Sequence, residues 1–172
     1  MRLENPFTRR PYPDLCFPNG SYNMSAACWK FVTDAQGPFH SVKNNTYMPI
    51  LMRHYPGGSS IGQLVHFGQL IIRGDGFYKY DYGVERNLEL YGTVYPPAYN
   101  LTNVQSPMFI FYCKNDYQAH YKDVKKLAAD LPGLAGIFLT PAETFNHLDI
   151  MYEEAAADLV YRRLIDQMTK YR

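Results

Sequence analysis

The order of secondary-structure elements in the last third of the chain predicts an α/β fold with parallel strands. Two continuous apolar runs, at 108–113 and 136–140, are typical of strands buried on both faces of a sheet. Residues 123–131 carry apolar side chains along one helical face, and residues 150–168 show the same period. Strand, helix, strand and helix in this order is the pattern of a sheet whose strands run parallel.

The composition is that of a globular protein. Of the 172 residues, 47% are hydrophobic and 19% charged, which allows one domain with an ordinary core. The net charge of +1 gives no basis for binding nucleic acid, and no run reaches the roughly 20 apolar residues of a membrane span. The 16 tyrosines and 10 phenylalanines fit an aromatic core and equally a surface for apolar ligands.

Fewer regular elements are predicted before residue 107. Apolar residues at helical spacing predict a helix over 61–73 that ends at Gly74. Residues 48–52 are a candidate short strand. Residues 75–106 are rich in Tyr, Gly and Pro and predict irregular chain with at most one short strand. The first 46 residues are polar and rich in turn-forming residues, so the predicted core lies toward the carboxyl terminus.

The stretch GSSIG at 58–62 fits the G-x-S-x-G pattern of a catalytic serine, with Ser60 as the candidate nucleophile. Such a serine needs a strand that runs directly into a sharp turn, and Pro56 with two glycines interrupts that path. Ser60 and Gln63 also form S-x-x-Q just before the helical run at 61–73, which is a capping box. We therefore predict that Ser60 caps a helix and is not a nucleophile.

Asp116 and His147 each follow one of the two predicted strands. Parallel strands joined by a crossover helix end at the same sheet edge, where catalytic groups of open α/β sheets gather. An aspartate that binds the Nδ1–H of a histidine, leaving Nε2 to take a proton from serine, is the acid–base arrangement of a catalytic triad. The alternative is structural, with Asp116 capping a turn and His147 lying in a loop before the next helix.

From about residue 47 to residue 168 the chain resembles the carboxyl-terminal half of the acid lipases, the group of gastric and lysosomal acid lipases and their insect relatives. The segments that carry this resemblance are, in order, HYPGGSS, QLVHFGQ, FYKYDYG, PPAYNLTNV, NDYQAHYKDV and FNHLDI. The resemblance implies the carboxyl-terminal part of an α/β-hydrolase fold. It divides the chain into a partial, divergent cap at 1–60, a helix and irregular segment at 61–106, and the core at 107–172.

The resemblance also implies roles for individual residues. Asp116 would be the triad acid and His147, within FNHLD, the triad base. The acid loop departs from the family pattern at His120 and Tyr121, past the catalytic position. The segment around Ser60 is similar to a cap region without a catalytic role, and the serine elbow and oxyanion donors of the family lie upstream of the matching region.

The implied function is hydrolysis of carboxylic esters of neutral lipids, either triacylglycerol or sterol esters, without a metal or organic cofactor. This chain alone is expected to be an inactive fragment, because it retains the acid and the base but lacks the serine. The implied partner is a lipid ester at a lipid interface, with no nucleic acid, transmembrane segment or protein partner. The alternative is a non-catalytic truncated paralogue or a lipid-binding relic.

Sequons and cysteines bear on the compartment. Four Asn-x-Ser/Thr sequons favour a secreted or lysosomal protein, although residues 1–15 lack the apolar stretch of a signal peptide. These candidate glycosylation sites are Asn19, Asn23, Asn44 and Asn100. Cys16 and Cys28 could pair and leave Cys113 unpaired, but three cysteines do not fix the pairing. No spacing of Cys and His resembles a metal site.

Overall fold

The computed structural model describes residues 2–3, 16–20, 23–38, 48–54 and 58–171. The chain divides into two compact units, one formed by Met1–Tyr12 with Leu51–Asn100 and the other by Pro13–Ile50 with Leu101–Arg172. The unit that contains both predicted core strands thus also contains part of the predicted cap.

The helices and strands span the following residues. In chain order they are β1 (Arg2–Leu3), α1 (Ala26–Gln36), α2 (Met48–His54), β2 (Ser59–Ser60), α3 (Ile61–Arg73), α4 (Val84–Tyr91), β3 (Met108–Tyr112), α5 (Tyr121–Asp130), β4 (Leu134–Leu139), α6 (Asp149–Tyr152) and α7 (Arg162–Met168). Short 3-10 turns lie at Pro18–Gly20, Leu101–Asn103 and Thr169–Tyr171, and a π-helical turn lies at Ala157–Tyr161.

The helix predicted over 61–73 is confirmed as α3. It ends at Gly74, whose φ of +75° is left-handed and whose N–H donates to the carbonyl of Leu70. The candidate strand at 48–52 is wrong, because these residues belong to the helix α2. Pro49 is the second residue of that helix, and proline is well tolerated in a first helical turn.

Helix α4 lies within the segment predicted to be irregular, and that part of the prediction is wrong. Gly83 and Gly92 flank the helix at positive φ, and Asn87 is fully buried within it. The Asn87 amide accepts from the N–H of Tyr82 at 3.0 Å and donates to the carbonyl of Val94 at 2.9 Å. The helix is thus tied to the chain on both sides by a polar residue, which a search for apolar periodicity does not detect.

The two core strands are confirmed, and they pair in parallel as the element order predicts. In the register, Phe111 lies opposite Phe138 and Tyr112 opposite Leu139, with α5 as the crossover between the strands. The prediction that both strands are buried on both faces is wrong for this chain: β3 is half-buried, and the side chains of Ile137 and Leu139 in β4 are 38% and 39% exposed. Among the described residues this sheet has two strands.

The core of the second unit lies against the carboxyl ends of these strands. One hydrophobic cluster there has Cys113, Phe145, Ala156 and Val160 as its buried members, with Phe111, Ala142, Ile150 and Leu159 partly buried around them. The single helix predicted over 150–168 is wrong, because α6 ends at Glu153 in an extended conformation. The chain resumes through the π-helical turn into α7, so the buried Ala156 and Val160 belong to a different segment from Tyr152.

Helix α1 brings the amino-terminal part of the chain into the second unit. A disulfide joins Cys16 to Cys28 within α1, with the two Cα atoms 5.4 Å apart, and both residues are buried. The helix ends at Gly37, whose N–H donates to the carbonyl of Thr33. None of the helices described for this chain is both long and apolar enough to cross a membrane.

Candidate active site

Asp116 lies in the loop after β3, and its carboxylate is held on both oxygens. Oδ1 accepts hydrogen bonds from the main-chain N–H of Gln118 at 2.8 Å and of Ala119 at 2.7 Å. Oδ2 lies 3.0 Å from Nδ1 of His147. The side chain of Asp116 is 8% exposed, so these bonds replace nearly all of its contact with water.

His147 lies in the loop after β4, and the structure brings it to Asp116 as the sheet topology predicts. Its main-chain N–H donates to the carbonyl of Gln36 at 3.1 Å, and its side chain is 28% exposed. Asp116 is the hydrogen-bond partner of Nδ1, and Nε2 has none among the described residues. The ring is therefore fixed from one side, and Nε2 is left with capacity to exchange a proton.

The charge on Asp116 follows from its surroundings. Burial by itself raises the pKa of the carboxyl. The hydrogen bond from His147 and those from the amides of Ala119 and Gln118 lower it, and their combined effect is larger, so the pKa lies below the usual value for aspartate. The carboxylate is therefore ionised in mildly acidic solution as well as at neutral pH.

Asn146, the residue before the base, fixes the loop that carries His147. It is fully buried, and its Oδ1 accepts from the main-chain N–H of Leu148 at 2.9 Å and of Asp149 at 3.0 Å. The buried Asp149 returns the contact, accepting from the N–H of Asn146 at 3.0 Å. This reciprocal pair works as a capping box does and sets the backbone conformation on both sides of His147.

Asn146 is not among the site residues predicted from the sequence. The signal was present, since N-x-x-D directly before a helix is a pattern of side chain–main chain hydrogen bonds. Gln36 is not among the predicted site residues either. It lies far from His147 in the sequence, so no local sequence pattern indicates the contact between them.

Cys113 lies next to this site but has the wrong properties for a nucleophile. It is fully buried, and burial first, with the charges of Asp116 and Asp149, raises the pKa of its thiol to about 12. Its Sγ donates to the carbonyl of Asn146 at 3.5 Å. A thiol in this state is a packing residue.

Comparison with known proteins relates most of the chain to lipases. It is 36% identical over 127 residues to Lipase 1 of Drosophila melanogaster, covering 74% of this chain and 29% of that protein. It is 38% identical over 116 residues to Lipase 3 of the same organism, covering 67% and 29%. Against gastric triacylglycerol lipase of Bos taurus the identity is 30% over 128 residues, covering 74% and 32%. The chain belongs to the acid lipase family.

No family model matches the chain. This acid lipase chain spans about a third of the length of the curated relatives it matches, from 29% to 32% of the three named above. The lipase relatives imply an α/β-hydrolase fold. The parallel pair β3 and β4 with its helices is compatible with that fold.

Ser60 of this acid lipase chain is the N-cap of α3. Its Oγ accepts from the N–H of Gln63 at 3.1 Å, and Oε1 of Gln63 accepts from the N–H of Ser60 at 3.2 Å, so both halves of the capping box are present. The φ and ψ of Ser60, −77° and 149°, are those of ordinary extended chain. A nucleophile elbow would need a sharp, strained turn at this residue.

Other candidate residues of the acid lipase chain have bland surroundings. His66, which lies in α3 and to which no catalytic role was assigned, has its Nε2 2.9 Å from the carbonyl of Tyr78. Asn19, Asn23 and Asn100 are exposed, whereas Asn44 lies outside the described residues, as does the side chain of His54. In the part of the chain that the structure describes, no three His, Cys, Asp or Glu side chains are grouped to hold a metal ion.

The role of Ser60 can be tested by stability. Ser60→Ala is expected to lower the free energy of unfolding by about 1 kcal/mol, because the N–H of Gln63 loses its acceptor. Ser60→Asp restores an acceptor at the N-cap without a hydroxyl, so its stability should match the wild type. Urea unfolding followed by circular dichroism measures both. Equal loss in the two variants would mean that the hydroxyl has a role other than capping.

Proposed function

We propose that this chain carries the acid and the base of a Ser-His-Asp ester hydrolase, and that the whole protein hydrolyses esters of neutral lipids. The observation that supports this most strongly is the 3.0 Å contact between Nδ1 of His147 and Oδ2 of Asp116, with Oδ1 held by two main-chain amides. One relative is named a gastric triacylglycerol lipase, and we extend triacylglycerol to this protein as its proposed substrate. Sterol esters, the other class of neutral lipid ester that the resemblance implies, are the second proposed substrate.

In the proposed reaction His147 is the general base and Asp116 orients it. A serine hydroxyl attacks the ester carbonyl and its proton passes to Nε2, while Asp116 stabilises the imidazolium that forms. Collapse of the tetrahedral intermediate releases the alcohol, which takes the proton from Nε2 and leaves an acyl-serine. Water then attacks the acyl-serine and gives a proton to Nε2. When the second tetrahedral intermediate collapses, the serine oxygen takes that proton back from Nε2 and the fatty acid is released. His147 and Asp116 themselves are unchanged at the end of the cycle.

The electrostatics of Asp116 suit work in an acidic medium. Its pKa lies below the usual value for aspartate, so the negative charge that orients His147 persists as the solution becomes acidic. The proposed compartment, secreted or lysosomal, rests on the sequons and on the lipase relatives. The exposed Asn19, Asn23 and Asn100 are proposed glycosylation sites, because sequons on the surface of a secreted or lysosomal protein can be glycosylated.

The nucleophilic serine is proposed to lie outside this chain, in a part of the α/β-hydrolase fold that comes before residues 107–172 in sequence. Two observations support this. Ser60 uses its hydroxyl as a helix cap, and β4 exposes Ile137 and Leu139, which further chain would cover in a complete α/β-hydrolase sheet. Residues 61–106 would then lead into this core, and residues 1–60 would include part of the cap.

A serine-directed fluorophosphonate probe tests this proposal in the intact protein. The probe is expected to label the wild type and the Ser60→Ala variant at the same rate. In His147→Ala the labelling rate should fall by about 10³ or more, because no base remains to take the serine proton. His120→Ala is the control, since this histidine caps α5 and should not alter labelling.

Three outcomes would count against the proposal. Unchanged labelling of His147→Ala would show that His147 is not the base. Loss of labelling in Ser60→Ala would show that Ser60 is the nucleophile. The absence of any labelled serine in an intact, folded protein would favour the non-catalytic alternative, a truncated paralogue or lipid-binding relic.

A further inference from the structure

We propose that Gln36–Pro38, called the positioning segment, holds His147 and Asp116 at their working distance. The inference rests on the proposed function, and it assigns a role to a stretch of chain that neither the acid nor the base belongs to. The segment begins with the last residue of α1 and lies more than 75 residues before Asp116 in the sequence.

The positioning segment is bonded to the loop that carries the base. The carbonyl of Gln36 accepts the main-chain N–H of His147 at 3.1 Å. The carbonyl of Gly37 accepts from Nδ2 of the fully buried Asn146 at 3.1 Å. Two consecutive residues of the base loop are thus fixed by two consecutive residues of the segment.

The same segment is bonded to the loop that carries the acid. Nδ2 of Asn115 donates to the carbonyl of Pro38 at 2.8 Å and also to that of Thr144 at 2.9 Å. Nε2 of Gln118 donates to Oε1 of Gln36 at 3.0 Å, and Gln118 supplies one of the amides that hold Asp116. The residues that flank Asp116 on both sides are therefore tied to the segment.

Gly37 is the residue that allows this close approach. A Cβ built at this position would lie 2.0 Å from the carbonyl oxygen of Asn115 and 3.1 Å from Cβ of Asn146. The φ of Gly37 is +101°, a conformation that residues with a side chain rarely adopt. Any other residue here would push the segment away from both loops at once.

The segment is itself anchored at its amino-terminal end. It continues from α1, which the disulfide between Cys16 and Cys28 braces, and the N–H of Gly37 closes the last helical turn onto Thr33. The anchor lies within the same compact unit as both loops. The segment is thus a fixed support for the acid and base loops.

The state of the His147 ring gives a test that loss of stability alone would not mimic. With ¹⁵N-labelled histidine in the full chain, NMR reports which ring nitrogen carries the proton. The wild type should show the proton on Nδ1, facing Asp116. In Gly37→Ala the displaced segment should release His147, and the Nε2–H tautomer should become the major form. Gly68→Ala is the control, because a Cβ at that helical position meets nothing within 4 Å.

Hydrolysis by the intact protein gives the second measurement. Gly37→Ala should lower kcat by about 10² with little change in KM, the effect of misplacing a catalytic group by about 1 Å. Asn115→Ala removes the ties to Pro38 and Thr144 only and should remain folded even where Gly37→Ala does not. Because the base would be only partly misplaced, Asn115→Ala should lower kcat by roughly tenfold and raise the fraction of the Nε2–H tautomer.

The outcomes separate this inference from the proposed function. If Asp116→Asn abolishes hydrolysis but a folded Gly37→Ala or Asn115→Ala keeps the wild-type tautomer and kcat, the positioning role is rejected and the catalytic pair stands. If Asp116→Asn leaves hydrolysis unchanged, the proposed function fails instead, whatever the tautomer shows.

Discussion

Replacing Asp116 with asparagine is expected to lower the kcat of ester hydrolysis by the intact protein about 10⁴-fold while leaving the fold in place. The reason lies in the two amides that hold Oδ1. The N–H groups of Gln118 and Ala119 require an acceptor at that position, so the oxygen of the new side chain must stay there. Its NH₂ group then faces Nδ1 of His147, where Oδ2 was.

This orientation puts His147 into the wrong tautomer. A donor opposite Nδ1 needs a lone pair on that nitrogen, so the ring proton moves to Nε2. A protonated Nε2 cannot accept the proton of a serine. The charge that stabilises the imidazolium is lost at the same time, and both effects lower kcat in preference to raising KM.

Steady-state hydrolysis of an emulsified triacylglycerol by the intact protein measures this effect. Asp123→Asn is the matched control, because Asp123 lies on the exposed face of α5 and should leave kcat unchanged. Circular dichroism confirms that both variants are folded. A kcat within tenfold of the wild type in Asp116→Asn would show that Asp116 does not orient the base.

The acid–base pair could be predicted from the sequence because topology fixes it. Two apolar runs joined by a helix can form one parallel pair, and the loops after the two strands then share an edge. Asp116 and His147 stand at these two loops, so strand order places them within reach of each other, and the resemblance to the acid lipases implies their roles as acid and base. The capping role of Ser60 could also be predicted, because S-x-x-Q before an apolar run is a pattern contained within four residues.

The support of the pair could not be predicted in the same way. Gln36 meets His147 through a main-chain carbonyl, and a carbonyl is present at every residue. The carbonyl of Gln36 can reach His147 because Gly37 has no side chain. A single glycine in a sequence is compatible with many kinds of turn, so it does not indicate this contact. Contacts made by the backbone across a long stretch of chain leave no periodicity in the sequence.

The wrong predictions have physical reasons too. The apolar runs at β3 and β4 have the composition of strands with both faces covered, but Ile137 and Leu139 are partly exposed in this chain. The helical period over 150–168 is real, yet Glu153 is extended and a wide π-helical turn follows it. A sequence pattern indicates which faces of an element are apolar. It does not indicate whether other chain covers those faces, or whether the helix continues without interruption.

The largest loss of stability from a single side chain is expected at Asn146. Asn146→Ala removes the acceptor for the N–H groups of Leu148 and Asp149 and the donor to the carbonyl of Gly37. Asn146 is fully buried, so water does not replace these bonds without rearrangement. Leaving about three main-chain groups unsatisfied should lower the free energy of unfolding by about 3–5 kcal/mol.

Urea unfolding measured by tryptophan fluorescence and circular dichroism checks this value, with the m-value as a test that the unfolded surface is unchanged. Asn103→Ala makes the same substitution at an exposed position and should change stability by less than about 0.5 kcal/mol. An alanine variant as stable as the wild type would mean that the loop holds its conformation without Asn146, and that the backbone of His147 is set by the positioning segment alone.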